Sequence, residues 1–279
     1  MDAVAFPVAF WKMNGAGNDF IVIDHRKPLI PPHRMSEFAR KVCRRKFSVG
    51  ADGLFLLEPS AKADFSWRFF NADGSEAEMC GNGARCVARF AYMHGIAAAR
   101  MRFETLAGIV EATVSDTQVT ITMPAPHSLA LNLHLEHSVP GGEAHSSNTG
   151  VPHLVIFVDA LDQVDVAGLG RQLRYHPQFT PAGTNVNFVE RTGDGMRIRT
   201  YERGVEDETM ACGTGVAAAA LVAAAKGYAQ SPVTMTTSGG VSLTVLWSET
   251  PGKENRQIQL KGPAHLIYRG ELTPEALIG

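Results

Sequence analysis

The sequence predicts a mixed α/β (α+β) protein of two similar halves, each mainly β-strand wrapped around one central, unusually apolar helix. Three observations point there. First, Met79-Cys80-Gly81-Asn82-Gly83, with its run to Gly95, recurs as Ala211-Cys212-Gly213-Thr214-Gly215, with an alanine-rich run to Lys226 and then Gly227. Cys80 to Gly95 and Cys212 to Gly227 are the same 15 steps, and the two units lie 132 residues apart. Second, that offset holds beyond the helices: Phe47 falls on Phe179, Glu58 on Glu190, Glu76 on Glu208, Thr105 on Thr237 and Gly108 on Gly240. Near the start it slips by one, so that Gly17 pairs with Gly150, Val22 with Val155 and Ile23 with Ile156. A period this long means two homologous domains and not a solenoid; chance matching of common residues is the alternative. Third, the intervening segments are short apolar or alternating runs bounded by Gly, Asn and Asp, which are strand signals.

Taken in order, Trp11-Lys12-Met13 leads into Asn14-Gly15-Ala16-Gly17-Asn18-Asp19, a Gly-rich turn that enters the apolar strand Phe20–Asp24. Ser36 to Lys46 is expected to be helical, with Ser36 as N-cap and Arg40, Lys41, Arg44, Arg45 and Lys46 as a solvated basic face. Gly50-Ala51-Asp52-Gly53 turns into the strand Leu54–Leu57. Phe65–Phe70 alternates as a strand should and ends at the turn Asn71-Ala72-Asp73-Gly74. In the first cysteine helix, Val87, Phe90 and Ala91 give the spacing of a buried face, and Gly95 is a natural C′ stop. Strands follow around Arg102–Thr105, Ile109–Val114 and Val119–Met123. Pro124-Ala125-Pro126 marks the expected boundary, with halves at 1–124 and 125–266, and the second half opens after a polar, loop-like region near Gly141-Gly142. Gly150-Val151-Pro152-His153 enters the strand Leu154–Val158 as the mirror of the Gly17 turn. Gly183-Thr184-Asn185 enters Val186–Glu190 as the mirror of the Gly50 turn. Arg197–Tyr201 is a strand ending in Glu202-Arg203-Gly204. Glu206-Asp207-Glu208 has the composition of a solvated acidic cap ahead of Cys212. The tail 267–279 is expected to pack back on the first half.

Composition narrows the function. The chain has 279 residues, 45% hydrophobic and 19% charged, with a formal net charge of −2. That is an ordinary globular balance, with no overall attraction for nucleic acid or an anionic membrane. No apolar run reaches the roughly 18 residues of a spanning helix. The N-terminus carries no basic region followed by a long apolar core. Four cysteines without a Cys-x-x-Cys give neither a disulfide framework nor a zinc site. A cytoplasmic enzyme with reduced thiols and no metal is the expectation.

The chemistry is expected at the two cysteines. The thiolate is the reactive form, and a helix N-terminus can bring a thiol pKa down to roughly 3.5–7.5. Two halves related by a pseudo-two-fold would bring Cys80 and Cys212 to one cleft. There, one thiol could remove a proton from one face of a carbon while the other delivers a proton to the opposite face, which inverts a stereocentre. General acid–base catalysis supplies about 10²–10⁴-fold, and enzymes reach about 10⁶-fold or more. The carbanion therefore needs further stabilisation. Backbone N–H groups at the two helix mouths can bind a carboxylate as charge flows into it, each worth about 2.7–4 kcal/mol; Gly81, Asn82, Gly213 and Thr214 are the candidates. They would replace pyridoxal phosphate, for which the chain has no convincing lysine motif, so no cofactor is expected.

Asn71-Ala72-Asp73-Gly74-Ser75 running to Met79-Cys80-Gly81-Asn82-Gly83-Ala84-Arg85-Cys86, and Tyr201-Glu202-Arg203-Gly204 running to Ala211-Cys212-Gly213-Thr214-Gly215, resemble the two signatures of the diaminopimelate epimerase family. Gly15-Ala16-Gly17-Asn18-Asp19-Phe20 resembles that family's opening motif. The resemblance spans essentially the whole chain. It implies a diaminopimelate epimerase-like fold, with two pseudo-symmetric domains, each a curved, mostly antiparallel sheet around a central helix. It also implies a cofactor-independent isomerase, a homodimer, that interconverts LL- and meso-diaminopimelate for lysine and cell-wall synthesis. Residue by residue, it implies Cys80 and Cys212 as the acid–base pair, with His153 the polar neighbour of Cys80 and Glu202 that of Cys212. Asn18, Asn71, Asn185 and Arg203 become substrate ligands. A guanidinium can grip a carboxylate bidentately, and amides serve ammonium and carboxylate alike.

Two positions depart from the common pattern of that family. Gly53 stands where a substrate-facing Gln is frequent, and Val151 where an Asn usually precedes Pro-His. A related two-cysteine proline or hydroxyproline racemase is an alternative, disfavoured by the several Asn and the Glu202-Arg203 pair, which suit a second polar end on the substrate. A nucleotide-binding module is another, since Gly213-Thr214-Gly215 and the alanines after it fit G-x-G-x-x-A. No acidic residue follows where a ribose would need one. Cys43 and Cys86 read as small buried hydrophobes.

Overall fold

The computed structural model of the protein describes residues 3–135, 143–193, 195–247 and 257–278; the loop expected near Gly141-Gly142 lies outside them. The chain divides into two compact units, Met1–Ile121 with Gly262–Gly279, and Thr122–Lys261.

Unit 1 contains β1 (Val8–Gly15), β2 (Asn18–Asp24), α1 (Met35–Val42), β3 (Gly53–Glu58), β4 (Phe65–Asn71), α2 (Gly81–Met93), β5 (Arg100–Thr105), β6 (Gly108–Ser115) and β7 (Gln118–Thr122). The chain then enters unit 2 with β8 (His127–Leu133), β9 (Ala144–Asn148), β10 (Pro152–Phe157), α3 (Val166–Arg174), β11 (Asn185–Thr192), β12 (Gly195–Glu202), β13 (Asp207–Thr209), α4 (Gly213–Ala225), β14 (Val233–Thr236), β15 (Ser242–Trp247) and β16 (Ile258–Pro263). It returns to unit 1 as β17 (His265–Leu272).

The two units repeat one pairing plan. In unit 1, β1 and β2 are antiparallel, β2 and β3 parallel, β3 and β4 antiparallel, β4 and β5 parallel, and β5, β6 and β7 antiparallel in turn. In unit 2, β9, β10, β11, β12, β14, β15 and β16 follow the same series of senses. Each plan gains one outer strand, β17 on β1 and β8 on β9, both antiparallel. Ladder for ladder, the mixed and mostly antiparallel sheet of one unit is that of the other.

A central helix lies against each sheet. α2 packs against β1, β2, β3, β6 and β17, and α4 against β9, β10, β11, β14 and β15, so each sheet curves around its helix. Successive strand residues face opposite sides, and this sorts the core. Ile21, Ile23, Leu54 and Leu56 pack with Met35, Phe38 and Val42 of α1 on the outer face. Phe55, between them, turns to the other face and meets Gly83 of α2. In unit 2, Leu154, Ile156, Val186 and Phe188 pack with Val166 and Leu173 of α3, and Asn187 turns instead to Gly215 of α4. Buried on every side from Gly215 to Ala223, α4 is apolar all round, as an enclosed helix must be. Both central helices end alike. Ile96 N–H reaches Ala91 O at 2.8 Å and Gly95 N–H reaches Tyr92 O at 3.1 Å, while Tyr228 N–H reaches Ala223 O at 2.8 Å and Gly227 N–H reaches Ala224 O at 3.0 Å. This is the Schellman pattern, with Gly95 (φ 64°) and Gly227 (φ 74°) left-handed.

Three sequence expectations are corrected. α1 begins at Met35 behind Arg34, so Ser36 is not its cap; the Ser36 hydroxyl donates instead to Gly74 O at 2.7 Å. α1 also stops at Val42, where Gly50 N–H (3.0 Å) binds the Val42 carbonyl and Ala51 N–H (3.1 Å) the next one, Cys43. The basic run is therefore split: Arg40 and Lys41 ride the helix, and Arg44 to Lys46 form a turn. Glu206-Asp207-Glu208 is a hairpin and not a helix cap. Glu206 takes φ 60° at the bend, β13 pairs with β12, and the Glu208 carboxylate grips Arg199 at 2.8 and 2.6 Å. Among the described residues no helix is long and apolar enough to cross a membrane.

Candidate active site

Each central helix begins at a cysteine with extended backbone: Cys80 (φ −145°, ψ 115°) precedes α2 and Cys212 (φ −119°, ψ 105°) precedes α4. The first N–H groups of a helix have no intrahelical partner and gather positive potential. Gly83 N–H donates to Cys80 Sγ at 3.4 Å. Cys212 Sγ lies 3.4 Å from the Thr214 hydroxyl.

In unit 1 the mouth of α2 is held by oriented amides. Arg85 is fully buried on α2; its guanidinium donates to Gly81 O at 3.3 Å, to Asn82 Oδ1 at 2.7 Å and to Pro263 O at 3.4 Å. With its oxygen so engaged, Asn82 donates through Nδ2 to Asn18 Oδ1 at 2.7 Å. Asn18 donates in turn to Asp52 Oδ2 at 3.0 Å, which also accepts Asp19 N–H at 3.1 Å. Arg45 closes the chain on Asp52 at 2.8 Å and also binds Asp19. Asp19 further pairs with the buried ammonium of Lys12 at 2.7 Å, which donates as well to Gly50 O. Burial pushes the Asp19 carboxyl up, but Arg45 and Lys12 outweigh it and hold the group below the usual range. Asn71 sits at the end of β4, its amide 3.0 Å from the Ser75 hydroxyl.

In unit 2 the mouth of α4 is tied to the mirrored turn, where Thr149 donates to Thr214 O at 2.8 Å. Asn185 binds two segments, donating to Pro152 O at 3.0 Å and accepting Arg203 N–H at 2.8 Å. That fixes Arg203, whose guanidinium reaches Ala182 O at 3.3 Å. Glu202 accepts from the Thr209 hydroxyl at 2.9 Å, and burial raises its pKa. His153, 1% exposed, takes Asn187 Nδ2 on its Nδ1 at 3.1 Å. Burial, with Arg203 nearby, presses its pKa down to about 3.

The thiol expectation is corrected at Cys212. Desolvation, then the Glu202 charge, pushes this pKa up to about 12, against the pull of Thr214 and Gly215. Burial outweighs the helix N-terminus, so Cys212 is a thiol at neutral pH. Cys43 and Cys86, read as buried hydrophobes, are buried and likewise pushed up to about 12.

Unit 1 thus gathers Asn18, Gly81 and Asn82 at the Cys80 helix, and unit 2 gathers Glu202, Gly213 and Thr214 at the Cys212 helix, with Asn185, Arg203 and His153 linked beside them. Sequence reasoning missed Arg85, Asp52 and Thr209, which act through other side chains. It also missed Asn187, although the repeat set this residue opposite the apolar Phe55, and that mismatch was the available signal. The departure at Gly53 has a physical basis, since a Cβ there would lie 2.7 Å from the Phe69 ring and 2.8 Å from Phe70 O. The glycines at α4 answer to packing as well: a Cβ on Gly213 would meet Leu260 at 2.7 Å, and one on Gly215 would meet Asn187 Oδ1 at 2.3 Å.

Solved structures share this architecture. A PhzF-family phenazine biosynthesis protein from Bacillus anthracis superposes with a TM-score of 0.73 at 17% identity, over 95% of this chain and 99% of that one. A probable proline racemase from Agrobacterium radiobacter K84, with bound carbonate, gives 0.69 at 20% identity, over 97% and 95%. The fold places the chain in this two-domain class of proteins. Within the class, the diaminopimelate epimerase family model matches residues 10–128 and 145–267. The diaminopimelate epimerase of Hydrogenobaculum sp. (strain Y04AAS1) is 46% identical over 277 residues, 95% of this chain and 98% of that protein. That of Aquifex aeolicus is 43% identical over 283 residues, 96% and 99%. The chain belongs to the diaminopimelate epimerase family.

Proposed function

We propose that this isomerase interconverts LL-diaminopimelate and meso-diaminopimelate without a cofactor, in the making of lysine and peptidoglycan precursors. The observation that carries the proposal is the pair of cysteine-capped helices, one in each unit, within a chain 46% identical to a diaminopimelate epimerase over nearly its whole length. Cys80 and Cys212 serve as the two bases. A thiolate on one face takes the α-proton and becomes a thiol; the thiol on the other face gives its proton to the carbanion and becomes a thiolate. Cys212, protonated at neutral pH, begins as a donor, and Glu202 beside it receives its proton when the direction reverses. His153 serves Cys80. Backbone N–H groups at Gly81, Asn82, Gly213 and Thr214 bind the α-carboxylate as negative charge builds there. Asn18, Asn71, Asn185 and Arg203 hold the polar ends. The amides of Asn18 and Asn185 are oriented by their own hydrogen bonds, which lowers the cost of ordering them on binding. The enzyme works in the cytoplasm as a homodimer; sedimentation as a monomer at micromolar concentration would remove the second part.

The test is deuterium wash-in. Purified protein in D₂O is expected to label the α-carbon of LL-diaminopimelate and to leave proline unlabelled. Labelling of proline at a comparable rate would favour the racemase alternative instead.

A further inference from the structure

The two units differ at one set of matching ladder positions. In unit 1, Phe20 on β2, Phe55 on β3 and Phe69 on β4 form an aromatic trio; Phe55 stacks on Phe69 with centroids 4.4 Å apart and meets Phe20 edge-on at 5.2 Å. Phe20 pairs with Gly53, and Phe55 pairs with Phe69. In unit 2 the same rungs carry His153, Asn187 and Thr200: His153 pairs with Asn185, and Asn187 with Thr200. Exposures are 1%, 0% and 3%. Unit 1 demonstrates that apolar packing fills this place. Burying three polar side chains there is costly unless each is satisfied, so the substitution calls for a purpose.

Their hydrogen bonds read in one direction. The Asn187 side chain faces Leu154 O at 2.8 Å. A carbonyl only accepts, so the atom facing it is Nδ2, as assigned. Asn187 Oδ1 then accepts from the Thr200 hydroxyl at 3.0 Å. The same Nδ2 lies 3.1 Å from His153 Nδ1. An amide nitrogen only donates, so Nδ1 must be the acceptor and the ring proton must reside on Nε2. Protonating Nδ1 would set two N–H groups against each other. Nε2 is buried and has no hydrogen-bond partner among the described residues.

We infer that Asn187, oriented by Thr200, is a positioning residue that fixes His153 as a neutral ring protonated on Nε2, so that His153 works as a hydrogen-bond donor and not as a proton acceptor. The consequence for catalysis rests on the epimerase proposal; the tautomer itself does not. In the reaction, the Nε2–H stabilises an anionic partner, and Cys80 is not activated by giving its proton to this ring. Arg203, the charged neighbour of His153, opposes a cationic ring and acts in the same sense.

The experiment is ¹⁵N NMR of the full chain labelled at histidine, with the His153 ring assigned by its loss in His153→Gln. The expected result is a neutral ring with Nε2 protonated and Nδ1 bare from pH 8 down to pH 5. Asn187→Asp replaces the donor with an acceptor and is expected to move the proton to Nδ1 or to charge the ring. Its kcat should fall by about 10²–10³-fold, as for a lost donor to developing charge, with little change in KM. Thr200→Val frees the amide to turn and is expected to give mixed tautomers, a readout that remains if Asn187→Asp does not fold. A native ring protonated on Nδ1, or an imidazolium at pH 7, would overturn the inference, as would full kcat in folded Asn187→Asp. Native protein with the Nε2–H signature but without exchange into diaminopimelate would sink the epimerase proposal and leave the tautomer standing.

Discussion

Cys212 shows how two opposing effects on one thiol resolve. The helix N-terminus favours a thiolate, but burial and the neighbouring Glu202 favour the thiol more strongly, and the pKa rises to about 12. At any pH well below that value the thiolate fraction grows about tenfold per pH unit. Alkylation of Cys212 by iodoacetamide, followed by peptide mass, is therefore expected to accelerate about tenfold per unit between pH 7 and pH 10 with no plateau. Glu202→Gln removes a negative charge, lowers the thiol pKa and should speed alkylation at every pH in that window. A rate already flat at pH 8 would contradict the assignment. The candidate site residues were picked out in the sequence because thiols, amides and a guanidinium stood in paired motifs. Their state was not readable, because it depends on burial that only packing sets. The acting neighbours were equally hidden: Arg85 reaches Pro263 through the fold, across a span of chain that no local pattern encodes.

At the scale of the element, the two central helices were the most readable part of the chain, since a start at cysteine, an apolar interior and a left-handed glycine stop are all local. The termini of α1 were misread because its first turn is settled by a tertiary bond, Ser36 to Gly74, and its last by backbone bonds from the Gly50 turn. The acidic run before α4 was misread because Arg199, on the neighbouring strand, draws Glu208 into a hairpin. The glycines at the helix mouths set how closely helix and sheet approach. A Cβ on Gly83 would fall 2.1 Å from Phe55 Cζ, within the aromatic trio. Gly83→Ala should therefore lose about 1–3 kcal/mol of stability by overpacking, measured by urea unfolding. A change within about 0.5 kcal/mol of zero, the usual result at an indifferent surface site, would contradict that packing.

Over the whole molecule, the duplication is readable twice, as an offset in sequence and as the same series of ladders in each unit. The return of the tail to the first half was readable, since it lies beyond the second repeat, and β17 pairs there with β1; the outer place of β8 on β9 was not, because no strand was read at 127–133. Among the described residues, each unit supplies one helix that begins at a cysteine, Cys80 for α2 and Cys212 for α4. Duplication followed by divergence of the surroundings, aromatic beneath α2 and polar beneath α4, suits two thiols that share one reaction without sharing one environment. The most direct test compares Cys80→Ser and Cys212→Ser on the two stereoisomers of a substrate analogue carrying a β-leaving group. Each variant keeps one thiol, able to work on the isomer whose α-hydrogen faces it. Two-base catalysis predicts that both lose stereoinversion by about 10²–10⁴-fold or more, that each still eliminates from one isomer, that the two prefer opposite isomers, and that neither forms a covalent adduct by intact mass. A substrate adduct on either cysteine, or full epimerisation by either variant, would contradict it.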